Sequence, residues 1–340
     1  MSDMLKQSIE AVAKQIQFSG NVSVESPTER LALSFGYANR SEQIVNQMTT
    51  RFGIASGCKL ITAIAVCQLV ERGLLTFDTP LPATIAKQLS KVDQVVTVHQ
   101  LLTHTSGVPD YFDEDKMADF EELWVDTPMY RLRQPVDFLP FIYDQAMPFT
   151  PGERFQYNNM VYILLGLIIE QVTGLNFKAY VQQYIFEPLG MEQAGYFAFD
   201  QLPSNTAYGY IENPDQTFRT NIYALPVMGG ADGGAYLSTA DMNKLWLGLI
   251  NEQLLTPAMT SLLLTAHVHA YDLTYYGYGI WINQHENADV IKYHVMGYDP
   301  GVSFHSSYYP ARATRVVVCS NESLGATEVN TTIEKYLAVH

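Results

Sequence analysis

Basic residues are scarce in this 340-residue chain: 20 Lys and Arg face 35 Asp and Glu, a formal charge of −15. That balance argues against nucleic acid and anionic membrane as partners. Cysteine is scarcer still. Cys58, Cys67 and Cys319 are an odd number at no framework spacing, so a disulfide scaffold is excluded. Cys67 lies in an apolar helical run and Cys319 in a Val-rich strand pattern, and both read as small buried hydrophobes. A reducing cytoplasm is the simplest setting for such thiols. Long hydrophobic runs are missing too. The longest, Met160 to Ile169, is about half of what a membrane span requires, and Met1 to Ser8 has an early acid and no apolar signal core. The chain lacks Gly-x-Ser-x-Gly, which removes the α/β-hydrolase elbow. His267-Val268-His269 has no carboxylate or cysteine at ligand spacing beside it, so it reads as a polar loop and no metal is expected. Gly229 to Gly234 lacks the spacing of a dinucleotide loop and reads instead as the wall of a cleft.

What is present is a large apolar fraction, 47%, which allows a substantial core, in a chain whose length suits two domains or one large one. Ser2 to Ile16 has helical periodicity, and short strands follow near Gly20–Val24 and Leu31–Tyr37. Phe52 to Ala55 reads as a strand or turn, and Leu60 to Val70 as an apolar helix. From about Phe77 to Pro226 short helices, prolines and long connections take over, with Val161–Val172 the best buried helix. Ser238-Thr239-Ala240-Asp241 reads as a capped helix start running to Ile250. Strand patterns at Tyr275–Ile282, Val290–Met296, Val302–Tyr309 and Thr314–Cys319, joined by short turns, predict an antiparallel sheet. Val329, Ile333, Tyr336 and Leu337 at helical spacing close over it. The expected fold is α/β (α+β): one catalytic domain whose α/β part is about 1–76 and 227–340, with a mainly helical insertion at about 77–226.

Chemistry concentrates at Ser56-Gly57-Cys58-Lys59, which puts a hydroxyl and an amine three residues apart on one helical face. Such a pair arises by chance about once in a chain this long, and a helix-capping serine beside a solvated lysine is its bland reading. A second polar motif, Tyr157-Asn158-Asn159, precedes the buried helix; Tyr157 and Asn159 can face a cleft while Asn158 turns away. Tyr37-Ala38-Asn39 matches the same pattern at a hairpin end. The third element, Val295-Met296-Gly297-Tyr298-Asp299-Pro300-Gly301, is a strand running into a glycine where a ligand can approach the backbone.

In this order the three elements resemble the serine β-lactamase and penicillin-binding protein superfamily, in the branch of class C β-lactamases, DD-peptidases, D-aminopeptidases and related carboxylesterases. Leu101-Leu102-Thr103-His104-Thr105-Ser106-Gly107, Pro151-Gly152-Glu153 and Gly233-Gly234-Ala235-Tyr236-Leu237-Ser238-Thr239 are further points of likeness, from about Phe18 to Asn321. The resemblance implies an acyl-enzyme on Ser56. Lys59 and Tyr157 would share the role of base, each shifting the other so that they titrate as a unit. Asn159 would hold Lys59 and the substrate, and the backbone N–H groups of Ser56 and Tyr298 would form the oxyanion hole. No cofactor is implied.

The third motif departs from the family, which commonly has Lys or His, then a small residue, then Gly. This chain has Val295 and Met296 before Gly297, so the cation and hydroxyl that would hold a substrate carboxylate are missing. His294 stands one residue early and would point to the opposite face unless a bulge intervenes. Arg312 is another candidate anchor. Tyr236, Tyr298 and Tyr309 are candidate lining residues, and His104 reads as a turn cap. A carboxylesterase on short acyl esters is the expected function. The alternatives are a peptidase, amidase or β-lactamase acting on D-amino-acid or β-lactam substrates, and a non-catalytic relative. The expected partner is a small ester, amide or β-lactam.

Overall fold

The computed structural model describes residues 3–114, 117, 120–215 and 217–339. Helix α1 (Asp3–Gln15) buries Leu5, Ile9 and Ala13 on one stripe. It leads into the hairpin β1 (Gly20–Glu25) and β2 (Arg30–Phe35). Helix α2 (Lys59–Glu71) is buried at every position from Lys59 to Leu69. A helix apolar all round belongs in the middle of a protein, and α2 is the central element here. Its start differs from the expected one: Ser56 lies in a 3-10 turn, Ala55–Cys58, before α2, and the helix has no side-chain cap. Ser56 is therefore not spent on capping.

Helix α3 (Met160–Thr173) is also mostly buried and stops at Gly174, whose φ of 71° is left-handed. Its first amides are held by a distant carboxylate, with Asp110 accepting from Asn159 N at 2.7 Å and Met160 N at 2.9 Å. Helix α4 (Thr239–Ile250) opens on the expected capping box, in which Ser238 and Asp241 satisfy each other's backbone N–H.

Six strands follow: β3 (Val268–Tyr271), β4 (Thr274–Tyr276), β5 (Trp281–Gln284), β6 (Val290–Asp299), β7 (Val302–Tyr309) and β8 (Thr314–Ser320). Helix α5 (Ala326–Val339) ends the described chain. Two strand expectations need correction. Residues 275–282 form two strands, β4 and the start of β5, because the chain reverses through Gly277 and Gly279, the latter at φ 71°. His269 lies in strand β3 rather than in a loop.

Among the described residues the main sheet has eight strands in the order β2-β1-β8-β7-β6-β5-β4-β3, with every neighbouring pair antiparallel. The first hairpin thus joins the last strand, as expected of chain ends that build one layer. Strand β8 shows how both faces are covered. Val316 and Val318 pack with α1 and α5, while Val317 and Cys319 face the core that holds α2, α3 and α4. Cys58, Cys67 and Cys319 are all buried free thiols. No single described helix is long and apolar enough to cross a membrane.

Replacing Ser238 by Ala removes one partner of the α4 capping box and is expected to lower stability by about 1 kcal/mol. Urea unfolding should show a lower midpoint at unchanged slope; an unchanged midpoint would mean the cap contributes nothing.

Candidate active site

Ser56 is presented by a strained turn. Ala55, just before it, has φ 45°, in the left-handed region that a residue with a Cβ avoids. Strand β6 runs against this turn and fixes it. A Cβ placed on Gly297 would lie 2.2 Å from Ile54 O and 2.8 Å from Ser56 N. Only a glycine lets the strand backbone come this close to the serine amide. The β6 edge is free there, since β5 pairs with β6 only from Val290 to His294.

Behind the serine, Lys59 is 1% exposed. Its Nζ donates to Ser56 Oγ at 2.9 Å, Asn159 Oδ1 at 2.8 Å and Asp232 O at 2.8 Å. Three acceptors match the three protons of an ammonium. The Tyr157 ring lies beside this pair, its centroid 4.9 Å from Lys59 Nζ. That ring is held between Trp281 (5.9 Å, 17°) and His104 (4.5 Å, 36°). His104 also fixes the neighbouring backbone: Nδ1 accepts from Asn158 N at 3.1 Å and its carbonyl accepts from Gln156 N at 2.9 Å. Asn158 turns away, donating to Val108 O at 2.7 Å.

Electrostatics around the serine are set by burial and excess acid. Burial, then the Glu114 carboxylate, push the Tyr157 phenol well above its ordinary range, against the smaller pull of the Ser56 hydroxyl. The expected phenolate-favouring shift is therefore not present in the resting site. Burial raises Asp110 to about 7 and Asp299 to about 8, the latter helped by the charge of Asp232. His104 is lowered well below its usual value by burial and by Lys59, so it stays a neutral ring.

The Beta-lactamase family profile matches residues 22–338. The chain belongs to the Beta-lactamase family. The crystal structure of a penicillin binding protein from Bacillus halodurans is 52% identical and superposes with a TM-score of 0.92, covering 96% of this chain and 99% of that one. A penicillin-binding protein of Bacillus subtilis (strain 168) is 27% identical over 92% of this chain and 70% of its own length. A D-amino acid amidase from Ochrobactrum anthropi SV3, complexed with D-phenylalanine, is 19% identical with a TM-score of 0.79 over 98% of this chain and all of that one (100%); it shares the fold.

In this family member Ser56, Lys59, Tyr157 and Asn159 converge as described. Ser56 opens into two hollows. The outer cleft is lined by Ser56, Tyr157, Trp281, Met296, Gly297 and Tyr298. The inner cavity, about 60 Å³, has Tyr111, Glu114, Asp232, Tyr236, Tyr298 and Asp299 in its wall, with the glycines of 229–234. Val295 is not in either wall and packs into the main core. His294 is buried outside both hollows beside Trp281, and burial lowers it well below its usual value. No bulge turns it round, because β6 and β7 stay in register from Tyr293 to Asp299. Tyr309 belongs to the α1–α5 core and bonds Glu334, while Arg312 sits in the turn after β7, at the far end from Ser56.

Sequence reasoning missed Asp110, Tyr111, Glu114, Trp281 and Asp299. Asp232 lay inside the glycine run read as a cleft wall, and Asp299 inside the third motif. Their acidic character was the signal, passed over because the search there was for a cation.

Two outcomes are expected. With Tyr157 held as a phenol, kcat/KM should rise with pH into the alkaline range. Glu114→Gln removes one upward push and should move that rising limb to lower pH; a limb that stays put in a pH-rate profile would deny the coupling. Gly297→Ala forces β6 off the Ser56 turn, and a displacement of about 1 Å should lower kcat/KM by roughly 10²-fold. Near-full activity in that variant would show that the close approach is not required.

Proposed function

We propose that this chain is a serine acyl hydrolase that works through an acyl-enzyme on Ser56 and prefers short acyl esters that carry no carboxylate. The observation that carries the chemistry is the Lys59 ammonium shared by Ser56 Oγ, Asn159 Oδ1 and Asp232 O, with the Tyr157 ring 4.9 Å from the same Nζ and lining the same cleft as Ser56. Ser56 Oγ attacks the ester carbonyl carbon while its proton passes into the Lys59–Tyr157 pair. An ammonium that donates three times cannot accept that proton, so the pair must first lose one, with Tyr157 as the group able to relay it. The N–H groups of Ser56 and Tyr298 take the charge on the carbonyl oxygen. Collapse breaks the ester C–O bond, and the pair's proton goes to the leaving alcohol. Water then repeats the attack on the acyl-serine, releasing the acid and restoring the Ser56 hydroxyl.

The substrate preference rests on two features. Val295 and Met296 stand where family members commonly carry a cation and a hydroxyl, and no Lys, Arg or His is among the described residues lining the inner cavity. A second reading, a penicillin-binding peptidase, is favoured by the name of the 52%-identical relative.

Intact-protein mass after exposure to a p-nitrophenyl short-chain ester or a penicillin, with Ser56→Ala as control, separates these readings. Ester turnover without a penicillin adduct, lost in Ser56→Ala, is the expected result. A long-lived penicillin adduct on Ser56 would favour the second reading, and undiminished turnover in Ser56→Ala would remove the nucleophile assignment.

A further inference from the structure

We propose that the outer cleft at Ser56 receives the alcohol half of the ester, and that this leaving group is an extended apolar alcohol gripped between Met296 and Leu324. The inference rests on the acyl-hydrolase reading and names the leaving-group class of that same site.

The proton decides which half of the ester goes where. When the tetrahedral intermediate collapses, the ester C–O bond breaks and the departing oxygen keeps the bonding pair, so it takes up a proton as it leaves. That proton comes from the Lys59–Tyr157 pair. Lys59 Nζ is buried behind the serine and surrounded by its three acceptors. Tyr157 stands in the wall of the outer cleft and not in that of the inner cavity. A leaving oxygen within reach of the phenol therefore carries its alcohol into the outer cleft, and the acyl chain is left to the inner side. The volumes agree with that division, about 510 Å³ outside against about 60 Å³ inside.

The walls of the outer cleft describe the alcohol. Met296 on β6 and His305, its cross-strand partner on β7, belong to the sheet side. Leu324, in the link between β8 and α5, faces the same cleft and is 72% exposed, and Tyr298 is 59% exposed. One exposed leucine is ordinary on a protein surface, but here two large apolar side chains flank the opening that leads to the nucleophile. The hydroxyls in the wall already have partners. Ser303 Oγ accepts from Ala326 N at 3.3 Å, Ser323 Oγ accepts from Gly301 N at 2.7 Å, and Thr327 Oγ1 pairs with His305 Nε2 at 3.1 Å. No Lys or Arg is among the described lining residues. Burial, then the Lys292 charge, lower His305 to about 4, so it offers no cation either. The acids of the wall, Asp113 and Glu114, repel an alcohol that carries a carboxylate. An alkyl chain laid between Met296 and Leu324 meets no such penalty and takes apolar surface out of water on both sides.

Two isomeric esters provide the test. Hexyl acetate and ethyl hexanoate have the same formula and exchange only which half is long; ethyl acetate is the reference with both halves short. Acid release is followed by pH-stat with the full chain, with Met296→Ser and with Leu324→Ser. With the unaltered chain, hexyl acetate should exceed both other esters in kcat/KM by at least about tenfold, since the longer alcohol buries four more methylenes. In each variant the ratio of hexyl to ethyl acetate should fall by at least about threefold; being internal to each protein, the ratio is insensitive to a uniform loss of activity. Should Met296→Ser fail to fold by circular dichroism, Leu324→Ser, at an exposed position, carries the comparison. Ethyl hexanoate turned over as fast as hexyl acetate, or faster, would overturn the placement of the alcohol and leave the acyl hydrolase intact. A ratio unchanged in the folded variants would overturn the grip by Met296 and Leu324. No turnover of any of the three esters by the unaltered chain would overturn both readings together.

Discussion

A single buried ammonium organises this protein. Lys59 opens a helix that is apolar on every side, and burying its charge costs several kcal/mol unless hydrogen bonds replace water. Three oxygens from three separate parts of the chain do so: Ser56 from its own turn, Asn159 from the start of α3, and Asp232 from the glycine-rich loop. Charge-assisted bonds of this kind are the stronger class. Satisfying one cation therefore draws the helical middle of the chain onto the sheet layer, and the serine is caught between them.

The rest of the site follows from that clamp. The left-handed Ala55 is tolerated because Gly297 backs the turn on one side and Lys59 anchors it on the other. Tyr157 is set by ring packing from Trp281 and His104 rather than by a strong polar partner, so its phenol approaches Ser56 while remaining protonated at rest. Asp110 holds the amides at the start of α3 and with them the position of Asn159. Around this one cation stand Asp110, Asp232, Asp299 and Glu114. The site is thus rich in acidic groups, which is the opposite of a carboxylate-binding cleft.

Much of this was legible in the sequence, for identifiable reasons. The antiparallel sheet could be read from alternating Val-rich segments with short links, and α4 from its capping box. Ser56, Lys59, Tyr157 and Asn159 stood out because their spacing is local and their order matches a family. The break between β4 and β5 was hidden because Tyr275–Ile282 alternates smoothly, and only the tertiary path decides that Gly277 and Gly279 turn the chain. His104 looked like a local turn cap, but its ring nitrogen serves a backbone amide 54 positions away. Asp110 was invisible as a site residue for the same reason: an acid in a loop looks solvated until the fold encloses it. The rise in the Tyr157 phenol was missed because its two largest causes, burial and the Glu114 carboxylate, exist only once the chain is folded.

Lys59 is the group on which the whole site depends. The most direct measurement is the pre-steady-state burst of p-nitrophenol from a p-nitrophenyl ester, compared between the unaltered chain and a folded Lys59→Gln variant. If the ammonium clamp positions Ser56 and feeds the proton pair, the burst rate should fall by at least about 10²-fold, the scale of lost general acid–base catalysis. A burst within threefold of the unaltered chain would contradict it and leave Tyr157 alone to activate the serine.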